Sequence, residues 1–210
     1  MQQDIPKVLG SMESGANRIE QLVDTLQQFV GADEVGVKPQ DLNQRLEETL
    51  QFLNTQIPHS LEIVKSYQPL PLVNTYPGEL GQVFLAILSN AIDATRTSQD
   101  DTTQQITIST LALSEDWLSV SISDTGPGSP ADIQDKIFDP FFTTKPVGQG
   151  TGMGLALCIQ TVQAHNGKLY VNSTTDEGTM FVIELPVNGP GNGHSNQSMG
   201  QSTTAAVPCT

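Results

Sequence analysis

Apolar residues recur every three or four positions over the first 30 residues of the chain. This spacing is typical of a helix that packs against partner helices in a bundle, because a heptad repeat keeps one apolar seam facing the neighbours. The seam comprises Ile5, Leu9, Met12, Ala16, Ile19, Val23, Leu26 and Val30. An amphipathic helix lying on its own domain is the alternative. The pattern predicts a bundle helix over residues 1–31, with Gly31 as its stop signal.

Beyond residue 31 the pattern of apolar positions changes several times. Regularly spaced leucines predict a helix that follows the N-cap Asp41 and ends before Pro58. Strand patterns occur in LEIVKSY, QITISTLAL, WLSVSISD, KLYVNST and GTMFVIELP. Two further helices are predicted in PGELGQVFLAILSNAIDATRTS and GMGLALCIQTVQAHNG, the second ending at Gly167. This mixture favours an α+β fold, a sandwich in which helices are layered on one mixed β-sheet.

These patterns predict four parts along the chain. The bundle helix (1–31) is followed by a linker with a helix (32–58), and one domain occupies residues 59–187. The last segment, 188–210, has no charged residue and little apolar surface with which to offset the entropy of ordering. We therefore expect a disordered tail.

Cysteine usage and charge limit the setting and the partners. The start is unlike a secretory signal, no apolar run approaches the roughly 18 residues that cross a bilayer, and the two cysteines, Cys158 and Cys209, are far apart. We expect a cytoplasmic location, no disulfide and no membrane contact. With 23 acidic and 9 basic residues the net charge is -14, which repels polyanions and argues against a nucleic-acid partner. A nucleotide would have to be held by local backbone N–H groups and a metal ion.

The helix predicted from Pro77 carries a second stripe beside its apolar face. Gln82, Ala86, Asn90, Asp93 and Thr97 are separated by 4, 4, 3 and 4 residues, so they lie along one side of the helix. Asn90 offers a neutral oxygen that suits a magnesium ion bridging phosphates. The alternative is an asparagine that bonds to neighbouring backbone.

The segment SVSISDTGPG delivers Asp124 from a strand directly into a glycine turn. A carboxylate on rigid strand backbone can accept a hydrogen bond from an exocyclic amine, and Gly126 and Gly128 allow a flat ring to approach the main chain. The pattern indicates an adenine pocket. An ordinary turn is the alternative, since Asp, Gly and Pro are common turn residues.

A ladder of glycines then runs into the next predicted helix. Their bare backbone N–H groups and the positive helix end can receive phosphate oxygens. The ladder consists of Gly148, Gly150, Gly152 and Gly154. A dinucleotide-binding fold is disfavoured, because its glycines follow the first strand of the domain. Lys145 is a candidate for neutralising phosphate charge in a lid, and an exposed surface lysine is the alternative.

Four segments of the chain resemble, in the same order, the N, G1, F and G2 boxes of the histidine kinase ATPase domain: QVFLAILSNAIDA, DTGPG, FDPFF and GQGTGMGL. A fifth segment, SMESGANRIEQLVDTLQQF, resembles the second helix of the kinase dimerisation hairpin. The resemblance implies the Bergerat ATP-binding fold of the GHKL superfamily. It further implies that Asn90 binds Mg²⁺, that Asp124 binds the adenine amine, and that Thr179 supports the adenine pocket. The rest of the implied nucleotide-binding set is Asp93, Gly126, Gly128, Lys145, Gly148, Gly150, Thr151, Gly152, Gly154 and Leu155.

The resemblance implies a protein histidine kinase that uses ATP and Mg²⁺, works with a response regulator and forms a homodimer. None of His59, His165 and His194 lies on the predicted dimerisation helix, so we expect the phosphorylated histidine on a hairpin outside this chain. Ala86 replaces the polar residue that the family usually has one turn before the magnesium asparagine. Ala86 and the missing acceptor leave a nucleotide-sensing or dimerisation module with weak catalysis as one alternative. A serine kinase of a regulatory protein, from the same superfamily, is the other, but the apolar seam of residues 1–31 fits a histidine kinase bundle better.

Overall fold

The computed structural model describes residues 36–97, 104–134, 136–145, 150–175 and 177–190. The four helices of these ranges are α1 (Leu42–Leu53), α2 (Pro77–Thr97), α3 (Ala131–Gln134) and α4 (Gly154–Ala164). The seven strands are β1 (Lys38–Gln40), β2 (Glu62–Tyr67), β3 (Val73–Thr75), β4 (Gln105–Ala112), β5 (Trp117–Asp124), β6 (Lys168–Thr174) and β7 (Gly178–Pro186). The predicted bundle helix over 1–31, Gly148 and the tail beyond residue 190 lie outside the described residues.

The main sheet has five strands in the order β2-β4-β5-β7-β6. Only the β2–β4 pair is parallel, and the other three neighbouring pairs are antiparallel. The pairing of β5 with β7 places Asp124 opposite Thr179, and the pairing with β4 places Ile106 on its other side. A separate two-stranded sheet joins β1 to β3. The prediction of helices on one mixed sheet is confirmed.

Alternating burial shows that the helices cover one face of the main sheet. In β5 the residues Leu118, Val120, Ile122 and Asp124 are buried, while the intervening serines are half-buried. The buried positions meet the apolar face of α2, which includes Phe84, Ile87 and Leu88, each with no exposed surface. This period-two alternation in the strand and the apolar stripe on the helix give the layered packing expected from the sequence pattern.

Helix α1 belongs to the same core. The side chain of Asp41 accepts hydrogen bonds from the N–H groups of Asn43 and Gln44, at 2.9 and 3.2 Å, which confirms the predicted N-cap. Leu42, Leu46, Leu50 and Leu53 then pack into the core that α2 and the sheet form. The helix that the sequence grouped with the linker is therefore part of the packed domain.

The end of α4 differs in detail from the prediction that Gly167 stops it. Asn166 adopts the left-handed conformation, with φ 56°, and the N–H groups of Asn166 and Gly167 bond to the carbonyls of Gln163 and Val162. Gly167 is needed for close packing against β7 instead, because a Cβ at this position would lie 2.5 Å from the carbonyl oxygen of Glu184.

At the other end of the domain, Gly189 and Pro190 are buried, so the predicted tail from residue 188 starts with packed residues. No helix in the described ranges is both long and apolar enough to cross a membrane.

Candidate functional site

Asp124 ends β5 on the covered side of the sheet, with 4% of its surface exposed. Its Oδ1 accepts a hydrogen bond from the N–H of Gly126 at 2.9 Å. Burial raises the pKa of the Asp124 carboxyl, and the backbone N–H groups of Gly126 and Thr179 act in the opposite direction. A buried carboxylate with few partners is characteristic of a ligand site, since an isolated buried charge is otherwise unfavourable.

The glycines after Asp124 are required by the protein's own packing. A Cβ on Gly126 would lie 2.8 Å from Asp124 Oδ1 and 2.9 Å from the Cβ of Ala94 on α2. Gly128 has φ +64°, and a Cβ there would lie 1.9 Å from the carbonyl oxygen of Thr174. The turn is therefore pressed against α2 on one side and β6 on the other, which fixes Asp124 between them.

A hydroxyl network supports the far side of this turn. Ser173 Oγ donates to the carbonyl of Gly178 at 3.1 Å and accepts the N–H of Ser129 at 2.8 Å. The hydroxyl of Thr179 lies 2.9 Å from Ser173 Oγ and is left as the donor in that contact. Gln134 on α3 also donates to the carbonyls of Ser129 and Ser173. Thr179 was predicted from the sequence, but Ser173 was not. The one sign of its role was a serine at a position of β6 where the alternation of the strand places a buried side chain.

On α2, the side chain of Asn90 is half-buried and makes no hydrogen bond with the described residues. Asp93, one turn further, is held by two cations: its Oδ2 lies 2.6 Å from Lys145 Nζ and its Oδ1 lies 3.3 Å from Arg96 Nη1. Lys145, which the resemblance places among the nucleotide-binding residues, therefore pairs with α2. These side chains are partly exposed, so the pairs themselves add little to stability.

The glycine ladder contacts the aromatic segment FDPFF. Gly152 has φ +66°, a Cβ there would lie 2.4 Å from the carbonyl carbon of Phe141, and its carbonyl accepts the N–H of Phe141 at 2.9 Å. Phe141 itself has φ 69° and is 75% exposed, which is unusual for a large aromatic residue. Gly150 lies against Thr143 and Lys145, and the Thr151 hydroxyl accepts the N–H of Met153 at 3.4 Å.

Helix α4 begins at Gly154 without a side-chain cap, since the side chain of the N-cap residue Met153 makes no capping hydrogen bond. Its first N–H groups are therefore available to an anion, and the helix dipole favours negative charge at this end. A Cβ on Gly154 would lie 3.9 Å from the Cβ of Ala86, so this helix end sits directly on α2. Leu155, half-buried, packs against the core.

One face of α2 joins the two halves of the site. Ala94 touches the Gly126 turn, Ala86 touches the start of α4 at Gly154, and Asn90 lies midway between these two alanines. Ala86 and Ala94 are eight positions apart, which corresponds to about 12 Å along the helix axis. The structure thus brings together the carboxylate, the asparagine and the uncapped helix end, three groups that the sequence named separately.

No group of three or more His, Cys, Asp or Glu side chains among the described residues could hold a metal ion. A metal at Asn90 would have to take its remaining ligands from phosphates and water, as Mg²⁺ commonly does.

The chain matches a protein-family model described as histidine kinase-, DNA gyrase B-, and HSP90-like ATPase over residues 75–189. It therefore belongs to this family. It is 34% identical over 181 residues to the sensor histidine kinase ZraS of Escherichia coli (strain K12), covering 84% of this chain and 37% of ZraS. It is 37% identical over 156 residues to the histidine-protein kinase AtoS of the same strain, covering 72% of this chain and 24% of AtoS. The chain thus spans well under half the length of these relatives.

Solved structures agree with this family. The catalytic domain of histidine kinase ThkA, in a nucleotide-free form, matches with a TM-score of 0.63 at 27% identity, covering 73% of this chain and 97% of that chain. Full-length ShkA in complex with AMPPNP matches in fold with a TM-score of 0.69 at 24% identity, covering 88% of this chain and 39% of that chain. The chain carries the ATPase-type domain that sensor histidine kinases share.

Proposed function

We propose that this domain binds ATP with Mg²⁺ and transfers the γ-phosphoryl group to a histidine on a dimerisation hairpin. The observation that carries the proposal is the placement of Asn90 on α2, between the Gly126 turn beside Asp124 and the uncapped start of α4 at Gly154. A nucleotide has its base and its phosphates at opposite ends, and the two ends of this face offer a hydrogen-bond acceptor and anion-binding N–H groups.

Each group has a distinct part in binding. The Asp124 carboxylate accepts a hydrogen bond from the exocyclic amine of adenine, and the Ser173–Thr179 network keeps the strand end in place. The N–H groups at the start of α4 hold phosphate oxygens. The Asn90 amide has no partner among the described residues and fits a magnesium site. When bound, Mg²⁺ would neutralise charge between phosphate groups.

Transfer requires an acceptor imidazole whose nitrogen forms a bond to the γ-phosphorus while ADP leaves with the electrons of the broken P–O bond. His165 has no exposed surface, and both of its ring nitrogens are already within hydrogen-bond distance of backbone groups. It is therefore unsuited to be the acceptor. We propose that the acceptor histidine lies on a hairpin of the kinase. We further propose that the kinase is a cytoplasmic homodimer that works with a response regulator, as in two-component signalling.

A direct test incubates the chain with radiolabelled ATP, Mg²⁺ and a separate hairpin that carries the acceptor histidine. We expect labelled hairpin with the wild type and strongly reduced label with Asp124→Asn, whereas the exposed Asp116→Asn serves as a matched control. ATP binding without any label would favour the second candidate, a nucleotide-sensing module, which is suggested by the apolar contact of Ala86 where a polar side chain is usual in the family. Absence of ATP binding would refute both.

A further inference from the structure

His165, at the end of α4, joins two segments that are far apart in sequence. Its Nε2 accepts the backbone N–H of Tyr76 at 3.0 Å, and Tyr76 directly precedes the first residue of α2. Its Nδ1 lies 2.7 Å from the carbonyl of Thr161 in α4 and is therefore the donor. The rings of Tyr76 and His165 also meet edge to face, with centroids 5.4 Å apart. The contacts require a neutral imidazole with its proton on Nδ1.

Three contacts show that α4 runs antiparallel to α2. The start of α4 at Gly154 meets Ala86, the Cys158 thiol donates to the carbonyl of Val83 at 3.9 Å, and His165 meets Tyr76. The first contact involves only small groups, and the second is a weak sulfur hydrogen bond. The third contact is a short hydrogen bond between two nitrogen atoms, which constrains both distance and direction. It is therefore the contact that can fix the position of α4 along α2.

We propose that His165 is a positioning residue, which sets the register of α4 on α2 and so places the phosphate-binding start of α4 beside Asn90. This inference rests on the proposed function. The hydrogen bond lies at one end of α4, the uncapped N–H groups lie at the other, and the helix between them transmits a shift as a rigid rod. Asp124 lies on β5, and the turn after it packs on Ala94, beyond the part of α2 that these three contacts with α4 involve. A shift of α4 along α2 therefore leaves the proposed contact of Asp124 with adenine in place.

Three substitutions separate the hydrogen bond from its surroundings. His165→Gln keeps an acceptor at the distance of Nε2, whereas His165→Asn keeps a donor for Thr161 and is one bond too short to reach Tyr76. His165→Leu removes both groups. Val162→Ala, in the same helix, is the matched control, because Val162 has no exposed surface and the truncation weakens packing without touching the hydrogen bond.

The dissociation constants of ATP and of adenosine are to be measured for the folded full chain, by calorimetry and by NMR titration. We expect His165→Asn and His165→Leu to weaken ATP binding about tenfold, because displacing the N–H groups at the start of α4 would remove about one hydrogen bond to a phosphate oxygen. Adenosine binding should change by less than about twofold. His165→Gln should retain most of the ATP affinity, and Val162→Ala should leave the ratio of the two affinities unchanged.

The nitrogen chemical shifts of the His165 ring give a second measurement, which needs no variant. They should show the neutral Nδ1-protonated tautomer, and an Nε2-protonated or charged ring would overturn the inference, because Nε2 could not then accept the Tyr76 N–H. Equal losses of ATP and adenosine affinity, or none, in the Asn variant would also overturn it while leaving the proposed function intact. A wild type that binds no ATP would refute the proposed function and this inference together.

Discussion

Replacing Asp124 by asparagine removes a negative charge from a side chain that is 4% exposed, with little change in shape. In the proposed function this carboxylate accepts a hydrogen bond from the adenine amine, and hydrogen bonds to charged groups contribute about 1.5–3 kcal/mol. We therefore expect the dissociation constant of ATP to rise about 10- to 150-fold in Asp124→Asn.

The same substitution should not destabilise the fold, although it weakens ATP binding. Burial raises the pKa of Asp124, so the folded chain binds this proton more readily than the unfolded chain does. The stabilising contribution of such a group is fully present below the unfolded-state pKa and is lost as the pH rises through the folded-state pKa. At neutral pH the free energy of unfolding of Asp124→Asn should be equal to or above that of the wild type, and the difference should shrink on acidification.

Calorimetry and thermal denaturation, each at neutral and at mildly acidic pH, measure these two effects. Asp116→Asn makes the same chemical change at an exposed residue directly before β5, about 25 Å from Asp124, and should alter neither quantity. On acidification the wild type should lose more ATP affinity than Asp124→Asn does. Unchanged ATP affinity in Asp124→Asn, or a loss equal to that of Asp116→Asn, would remove Asp124 from the adenine pocket.

Three other predictions test the metal, the turn and the bundle helix. Asn90→Ala should lower ATP affinity more in the presence of Mg²⁺ than in its absence, and equal calorimetric losses would exclude magnesium binding by Asn90. In denaturant titrations, Gly128→Ala should lower the free energy of unfolding by more than the roughly 1–3 kcal/mol that backbone strain alone costs, because its Cβ would overlap a carbonyl. Gly36→Ala is the control for strain without overlap, since Gly36 has φ +108° and no atom within 4 Å of its Cβ position. Leu26→Glu should weaken self-association in light scattering while ATP affinity is retained, and a strictly monomeric wild type would contradict the bundle seam.

Most of the fold was predictable because its signals are local. The cap at Asp41 and the alternation in WLSVSISD each depend on a few neighbouring residues. Strands β1 and β3 were missed, since each has three residues, which is too short for a periodic pattern, and each is stabilised by pairing with the other. Helix α3 has four residues and was missed for the same reason.

For the candidate site, the sequence supplied the chemical groups and their order. Asp124 at a strand end, Asn90 on a helix and the glycines before α4 could each be named from local pattern, and the resemblance to histidine kinases followed from their succession; family membership is confirmed. The packing that requires Gly126, Gly128 and Gly152 could not be derived in this way, because the atoms that a Cβ would meet there include atoms of α2, β6 and Phe141, which are distant in sequence.

The sequence by itself thus determined the longer helices and strands and the polar groups that end them, because capping, alternation and glycine freedom act between near neighbours. Tertiary structure alone decided that Ala86 meets the start of α4 and that Ala94 meets the Gly126 turn, so that Asn90 lies between these two contacts. It also decided that His165 meets Tyr76, 89 residues earlier. Such contacts depend on how whole elements pack, and packing is set by the complementary shapes of many buried side chains rather than by the local sequence.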